Sequence, residues 1–159
     1  MTRILRSLAL IVAFGVVAAP AAAQSPSSQC PWSMLPTRME LNAGMHLIQA
    51  EVAANAPDRG KGLMCRPSMP QNAGMLFVFS DVQPHCMWMR NTLIPLSVAF
   101  MDEQGVIVSI HDMKPQTDDS HCAARPARYA LEMNVGWFER RGIKPGARIG
   151  GLDKAPPAR

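Results

Sequence analysis

The residues with the strongest chemical potential in this chain are two His-Cys dipeptides, His85-Cys86 and His121-Cys122. Together they offer four soft or borderline donors of the kind that hold zinc or copper. Adjacent side chains on an extended strand point to opposite faces, so each dipeptide can direct only one of its two donors at a shared ion. No metal site and no cofactor is therefore expected. A copper-binding reading survives as an alternative, because Met87 and Met89 flank Trp88 and eleven methionines follow Met1. Met64, Met75, Met101 and Met133 lie in apolar segments, where methionine more often fills an irregular core.

A second kind of chemistry would come from polar residues that interrupt apolar segments. Arg90 and Asn91 follow such a segment, and Glu132 stands between Leu131 and Met133. Buried charges are rare unless paired, so the plain expectation is an Arg90–Glu132 ion pair or solvent exposure. The functional expectation is a polar cleft built from Arg90, Asn91, Ser120, His121 and Glu132. Its enzymatic form is a hydrolase-like site at Arg90, Asn91, His121 and Glu132. No nucleophile-elbow GxSxG, phosphate loop, HExxH or glycine-rich dinucleotide motif occurs, so no catalytic residue is assigned.

The N-terminus sets the redox context. Arg3 and Arg6 precede an apolar run from residue 8 to residue 19, and Ala21, Ala22 and Ala23 follow. This is the layout of a cleaved secretory signal over residues 1–23, with an apolar run too short to span a bilayer. A periplasmic product follows. In an oxidising compartment Cys30, Cys65, Cys86 and Cys122 are disulfide candidates, and four cysteines allow three connectivities. The expected bridge is Cys86–Cys122, because Cys86 sits in an apolar strand and Cys122 ends a polar loop that needs fixing. Closing a loop of ~36 residues contributes roughly 3 to 4 kcal/mol in the chain-entropy description. Cys30 and Cys65 either pair or stay free.

The residues after Ala23 carry fourteen basic and twelve acidic side chains, and the only adjacent basic pair among them is Arg140-Arg141. A row of phosphates would meet no basic stripe, which argues against nucleic acid as a partner. The hydrophobic stretches after Gln24 are all broken by Pro, Gly or charge within about ten residues, so no later membrane span is expected. A monomeric binding or accessory module of the cell envelope, with an envelope ligand or protein as its partner, is the expected form.

Residues 24–44 open Pro/Ser-rich and read as a flexible lead-in, residues 45–152 as a single domain and residues 153–159 as a tail. Strands are expected at residues 45–54, where Ile48, Ala50 and Val52 alternate with Gln49 and Glu51, and at 74–80, a wholly apolar run. Others fall at 85–90, 95–101, 106–110, 128–133 and 147–152, with a hairpin at residues 102–105. Short helices are expected after Asn55 and after Asn134, and a long polar loop over residues 111–126. About seven short strands and one or two short helices make a mainly β domain, a β-sandwich or partly closed barrel rather than a parallel βαβ fold.

Six ordered segments add a resemblance: GLMCR (62–66), GMLFVF (74–79), WMRNTLIP (88–95), residues 105–110, YALE (129–132) and GIKPG (142–146). In order and spacing the chain resembles the domain of unknown function 192 family over roughly residues 47–150. The resemblance implies a mainly β single domain, often exported, with no established activity. The chain departs from the family pattern at Arg90, where Lys is common, at Ser97, where Asp usually follows Pro-Leu, and at Ala147, where Gly-Asp is typical.

Overall fold

The computed structural model describes residues 33–35 and 37–159; the signal-like residues 1–23 and Cys30 lie outside them. Nine strands follow in chain order: β1 (Arg38–Ala43), β2 (His46–Ala53), β3 (Ala73–Gln83), β4 (Cys86–Met87), β5 (Leu96–Met101), β6 (Ile107–Met113), β7 (His121–Cys122), β8 (Ala127–Asn134) and β9 (Ile149–Gly150). The single α-helix among the described residues is α1 (Ala56–Lys61), capped by Asn55, whose Oδ1 accepts from the Asp58 amide at 2.9 Å.

Seven strands form one sheet in the order β6-β5-β8-β3-β2-β1-β9, while β4 and β7 pair separately. Val106, just before β6, bridges Arg148, just before β9, so the two edges of the large sheet meet at one end. A single curled, partly closed barrel is the result, not two facing sheets. One pair runs parallel: β2 and β3 are joined through α1. The helix after Asn55 and a strand on either side of it are as expected; their parallel pairing was not, because strand periodicity carries no information about pairing direction.

The strands are apolar on both faces because both faces are covered. Leu76 and Val78 of β3 join an inner cluster that takes side chains from all seven strands, with Trp137 and Phe138 among them. Met75, Phe77 and Phe79 point the other way into an outer layer with Leu63, Val98, Phe100 and Ala130. The alternation of β3 thus serves two cores at once.

Several expected boundaries move. β1 lies inside the expected lead-in and pairs along its whole length with β2. The expected tail is also held: Arg159 donates its amide to the Ala54 carbonyl at 2.7 Å, and Ala155 and Ala158 pack on the inner cluster. The expected strand at 85–90 shrinks to Cys86–Met87, and the segment after Asn134 forms turns and the 3-10 helix Glu139–Arg141 instead of an α-helix. The expected long loop is shortened from both sides, since β6 runs to Met113 and β7 occupies His121–Cys122.

Candidate ligand site

β8 lies between β3 and β5 in the middle of the sheet, and its alternation sends Leu131 and Met133 inward and Ala130 and Glu132 outward. Glu132 stands opposite Met75 of β3 and Val98 of β5. Its side chain is buried, and no hydrogen bond or ion pair reaches its carboxyl group from the described residues. Desolvation pushes this carboxyl up to about 8. At pH 7 it is therefore chiefly a neutral acid, a hydroxyl donor with no partner. Gly74 makes the close strand contact possible here, because a Cβ at that position would lie 2.5 Å from the Glu132 carbonyl oxygen.

Glu132 faces a cavity of about 240 Å³ walled by Phe77, Phe79, Leu63, Met64, Met87 and Trp88. Thr92 also lines it, is buried and makes no side-chain hydrogen bond. Arg59 and Lys61, from the last turn of α1, bring two positive charges to the same wall. Arg59 donates to the Ala54 carbonyl at 2.7 Å and the Val78 carbonyl at 3.1 Å, and Lys61 to the Ser33 hydroxyl at 3.0 Å. Neither takes part in an ion pair among the described residues. Gly62 lets the chain turn past Phe77: it has φ +49, and a Cβ there would sit 3.3 Å from the ring.

Cys86 completes the lining. It forms a disulfide with Cys122, its register partner across the β4–β7 pair, with the two Cα atoms 3.9 Å apart. The expected bridge is thus present, and both of its cysteines are exposed. Cys65 is disulfide-bonded as well.

Of the five residues expected to form a polar cleft, Glu132 lines this cavity; Arg90, Asn91, Ser120 and His121 are not among its lining residues. Arg90 does not pair with Glu132. It is exposed, donates to Asp118 at 2.8 Å and lies 4.9 Å over the Trp88 ring. The physical reason is local: Met89 before it is fully buried, so the next side chain turns out to solvent. Asn91 adopts φ 57, and its carbonyl accepts from the Cys65 amide at 2.8 Å. Ser120 is exposed, and His121 is half-buried with its ring 6.2 Å from that of His111.

The histidines of the two His-Cys dipeptides have different neighbours, and His85 lies just outside β4. His85 stacks on Phe79 at 3.7 Å, whereas His121 approaches His111. Among the described residues no group of three or more His, Cys, Asp or Glu side chains is placed to share a metal ion. Of the two methionines beside Trp88, Met89 is fully buried in the outer core and Met87 lines the cavity. Sequence reasoning missed Arg59, Lys61 and Thr92; only Glu132, an acid inside an apolar strand, signals the site.

A partly closed β-barrel with a buried acid under a small cavity is the class of protein that this geometry defines. The chain belongs to the DUF192 family, described as an uncharacterized ACR, which matches residues 24–151. Among solved structures it is similar to a protein from Sinorhizobium meliloti 1021 provisionally described as a transcription regulator, at 36% identity and TM-score 0.66, over 72% of this chain and 92% of that one. It is also similar to a protein of unknown function from Novosphingobium aromaticivorans DSM 12444, at 27% identity and TM-score 0.67, over 81% of this chain and 99% of that one. No curated protein matches the chain.

Proposed function

We propose that this protein is an exported, periplasmic binding module that takes a small organic anion into the cavity over Glu132. The observation that carries this reading is a buried acid with no partner, facing a formed cavity. A carboxyl with no donor among the described residues, at a central strand position and open to a cavity, is available to a ligand that completes its hydrogen bonds. A neutral Glu132 and the Thr92 hydroxyl present donors to an acceptor-bearing ligand. Phe77, Phe79 and Trp88 suit an apolar body, and the unmatched charges of Arg59 and Lys61 favour a negative group. Export is supported by the basic, apolar and Ala-rich order of residues 1–23 and by disulfides at Cys65, Cys86 and Cys122.

The test is thermal stabilisation of the purified protein by a panel of small acids, such as phenylacetate, benzoate and N-acetylcysteine, against the matching amines. We expect acids to raise the Tm at pH 6 and amines not to, with the gain abolished in Glu132→Leu and weakened in Lys61→Gln. A panel in which no acid shifts the Tm, or a shift that survives Glu132→Leu unchanged, would refute the reading. For localisation, intact-mass analysis should find Gln24 as the first residue of the exported protein, and a membrane-retained form still carrying residues 1–23 would contradict it.

A further inference from the structure

The cavity wall contains a reactive bond as well as recognition groups. Disulfides that thiols attack are those a nucleophile can reach, and both Cys86 and Cys122 are exposed while Cys86 also lines the cavity. A buried carboxyl with no partner opens onto the same cavity. An accessible disulfide and a carboxyl with no partner among the described residues line one cavity, which sets a proton acceptor beside the bond that a thiolate attacks.

We infer that Cys86–Cys122 is an exchange site for a small carboxylate-bearing thiol, with Cys86 Sγ as the attacked atom and Glu132 as the group that takes the thiol proton. This rests on the reading of the cavity as a ligand site and names the ligand's reactive group. In the first step, in the roughly one tenth of molecules whose Glu132 is ionised at pH 7, the thiol proton passes to the Glu132 carboxylate and the sulfur forms a bond to Cys86 Sγ. The Cys86–Cys122 bond breaks, and its electron pair leaves on Cys122 Sγ as a thiolate. A second thiol then attacks the mixed disulfide and releases the oxidised dimer of the small thiol. Two thiols are oxidised and the protein disulfide is reduced to two thiols, so atoms and electrons balance.

A base is most effective when its pKa lies near the working pH and near that of the group it deprotonates, and free thiols titrate near ~8.5. Glu132, at about 8, meets both conditions. The surroundings leave it free to act. Met75 and Val98 flank it from β3 and β5, His111 lies one strand further along the same face, and the charged groups on the cavity wall are Arg59 and Lys61. Those two cations select the negatively charged thiol over a positively charged one.

The purified oxidised protein is treated with glutathione at pH 7, quenched by alkylation and mapped by peptide mass. Cys86 and Cys122 should become labelled at least tenfold faster than Cys65, which is also disulfide-bonded and serves as the internal control. Cys122→Ser, treated with oxidised glutathione, should hold one glutathione as a mixed disulfide on Cys86, the other leaving as the free thiol. Glu132→Gln should slow the exchange about tenfold at pH 7 and by much less at pH 9.5, where the thiol ionises without help. A purely structural role would give the same ratio at both pH values. Glutathione should also outpace cysteamine at equal thiolate concentration, and Lys61→Gln should narrow that gap. Labelling of Cys86 and Cys122 no faster than Cys65, or a Glu132→Gln rate equal to wild type at pH 7, overturns the inference. If small acids still stabilise the fold in that case, the binding reading stands and the exchange chemistry alone is lost.

Discussion

Glu51 and Glu132 are both buried glutamates on neighbouring regions of one sheet, and they are treated in opposite ways. Glu51 on β2 receives two hydrogen bonds from Arg66, at 2.7 and 2.9 Å, and a third from the Leu35 amide at 2.7 Å. Burial alone would raise its carboxyl, but the Arg66 hydrogen bonds, the Leu35 amide and the Arg66 charge outweigh burial and hold it below the usual range. Glu132 on β8 has burial and nothing else, so it moves upward. A carboxylate with a full set of donors is part of the scaffold. A carboxyl left without donors and facing a cavity is held for something that arrives later.

The largest test of this contrast is to remove one member of the satisfied pair. Arg66→Ala strands a buried carboxylate, and breaking such a pair by deleting one partner costs about 3–5 kcal/mol. Denaturant unfolding at pH 7 should show a loss of that size, whereas Glu132→Gln should raise stability by roughly 3 kcal/mol, since the wild-type carboxyl is ionised in the unfolded chain and must take up a proton on folding that a neutral amide does not need. Equal losses from both substitutions would erase the distinction between the two sites.

The second test concerns the cross-link that borders only the Glu132 side. Cys86 and Cys122 are 36 residues apart, and replacing both by Ser should lower stability by roughly 3 to 4 kcal/mol through the freer unfolded chain. The effect should add to that of Arg66→Ala, because the disulfide and the Glu51–Arg66 pair share no partner. A combined loss that departs from the sum by more than about 1 kcal/mol would show that the two regions are one coupled unit.

What could be read from the sequence follows the same physical divide. β2, β3, β5, β6 and β8 announce themselves because alternation or a continuous apolar run is dictated by burial, as in Gly74–Met75–Leu76–Phe77. β1 does not, since only Leu41 and Ala43 of its six residues are buried and its remaining side chains read as polar lead-in. Glu132 is conspicuous as an acid between Leu131 and Met133, yet its surroundings are not. Arg59, Thr92 and Cys86 reach the cavity from α1, from a loop and from the small β4–β7 pair, and no local periodicity links elements so far apart in sequence. The Glu51–Arg66 pair escaped for the same reason, being fifteen residues apart across a helix and a turn.

The smallest expected effect is also the most specific, because the two glutamates must give pH dependences of opposite sign. Glu132 titrates higher in the folded protein than in the unfolded chain, so the folded state binds the extra proton. Its contribution is complete below the unfolded value, near 4.5, and is lost as pH rises through about 8. Glu51 is depressed on folding, so its contribution is present above the unfolded value and is lost only as pH falls through its folded one. Between pH 6 and 8 Glu51 is ionised in both states and contributes no slope, which leaves Glu132 as the glutamate that titrates there. At about 1.4 kcal/mol per pH unit, partly saturating as pH approaches 8, wild type should lose about 2 kcal/mol over that interval relative to Glu132→Gln. Paired denaturant titrations of the two proteins at pH 6, 7 and 8 measure the difference directly. A constant offset across the three pH values would mean that Glu132 is not held as a neutral acid, and the contrast with Glu51 would then reduce to a difference in hydrogen-bond count.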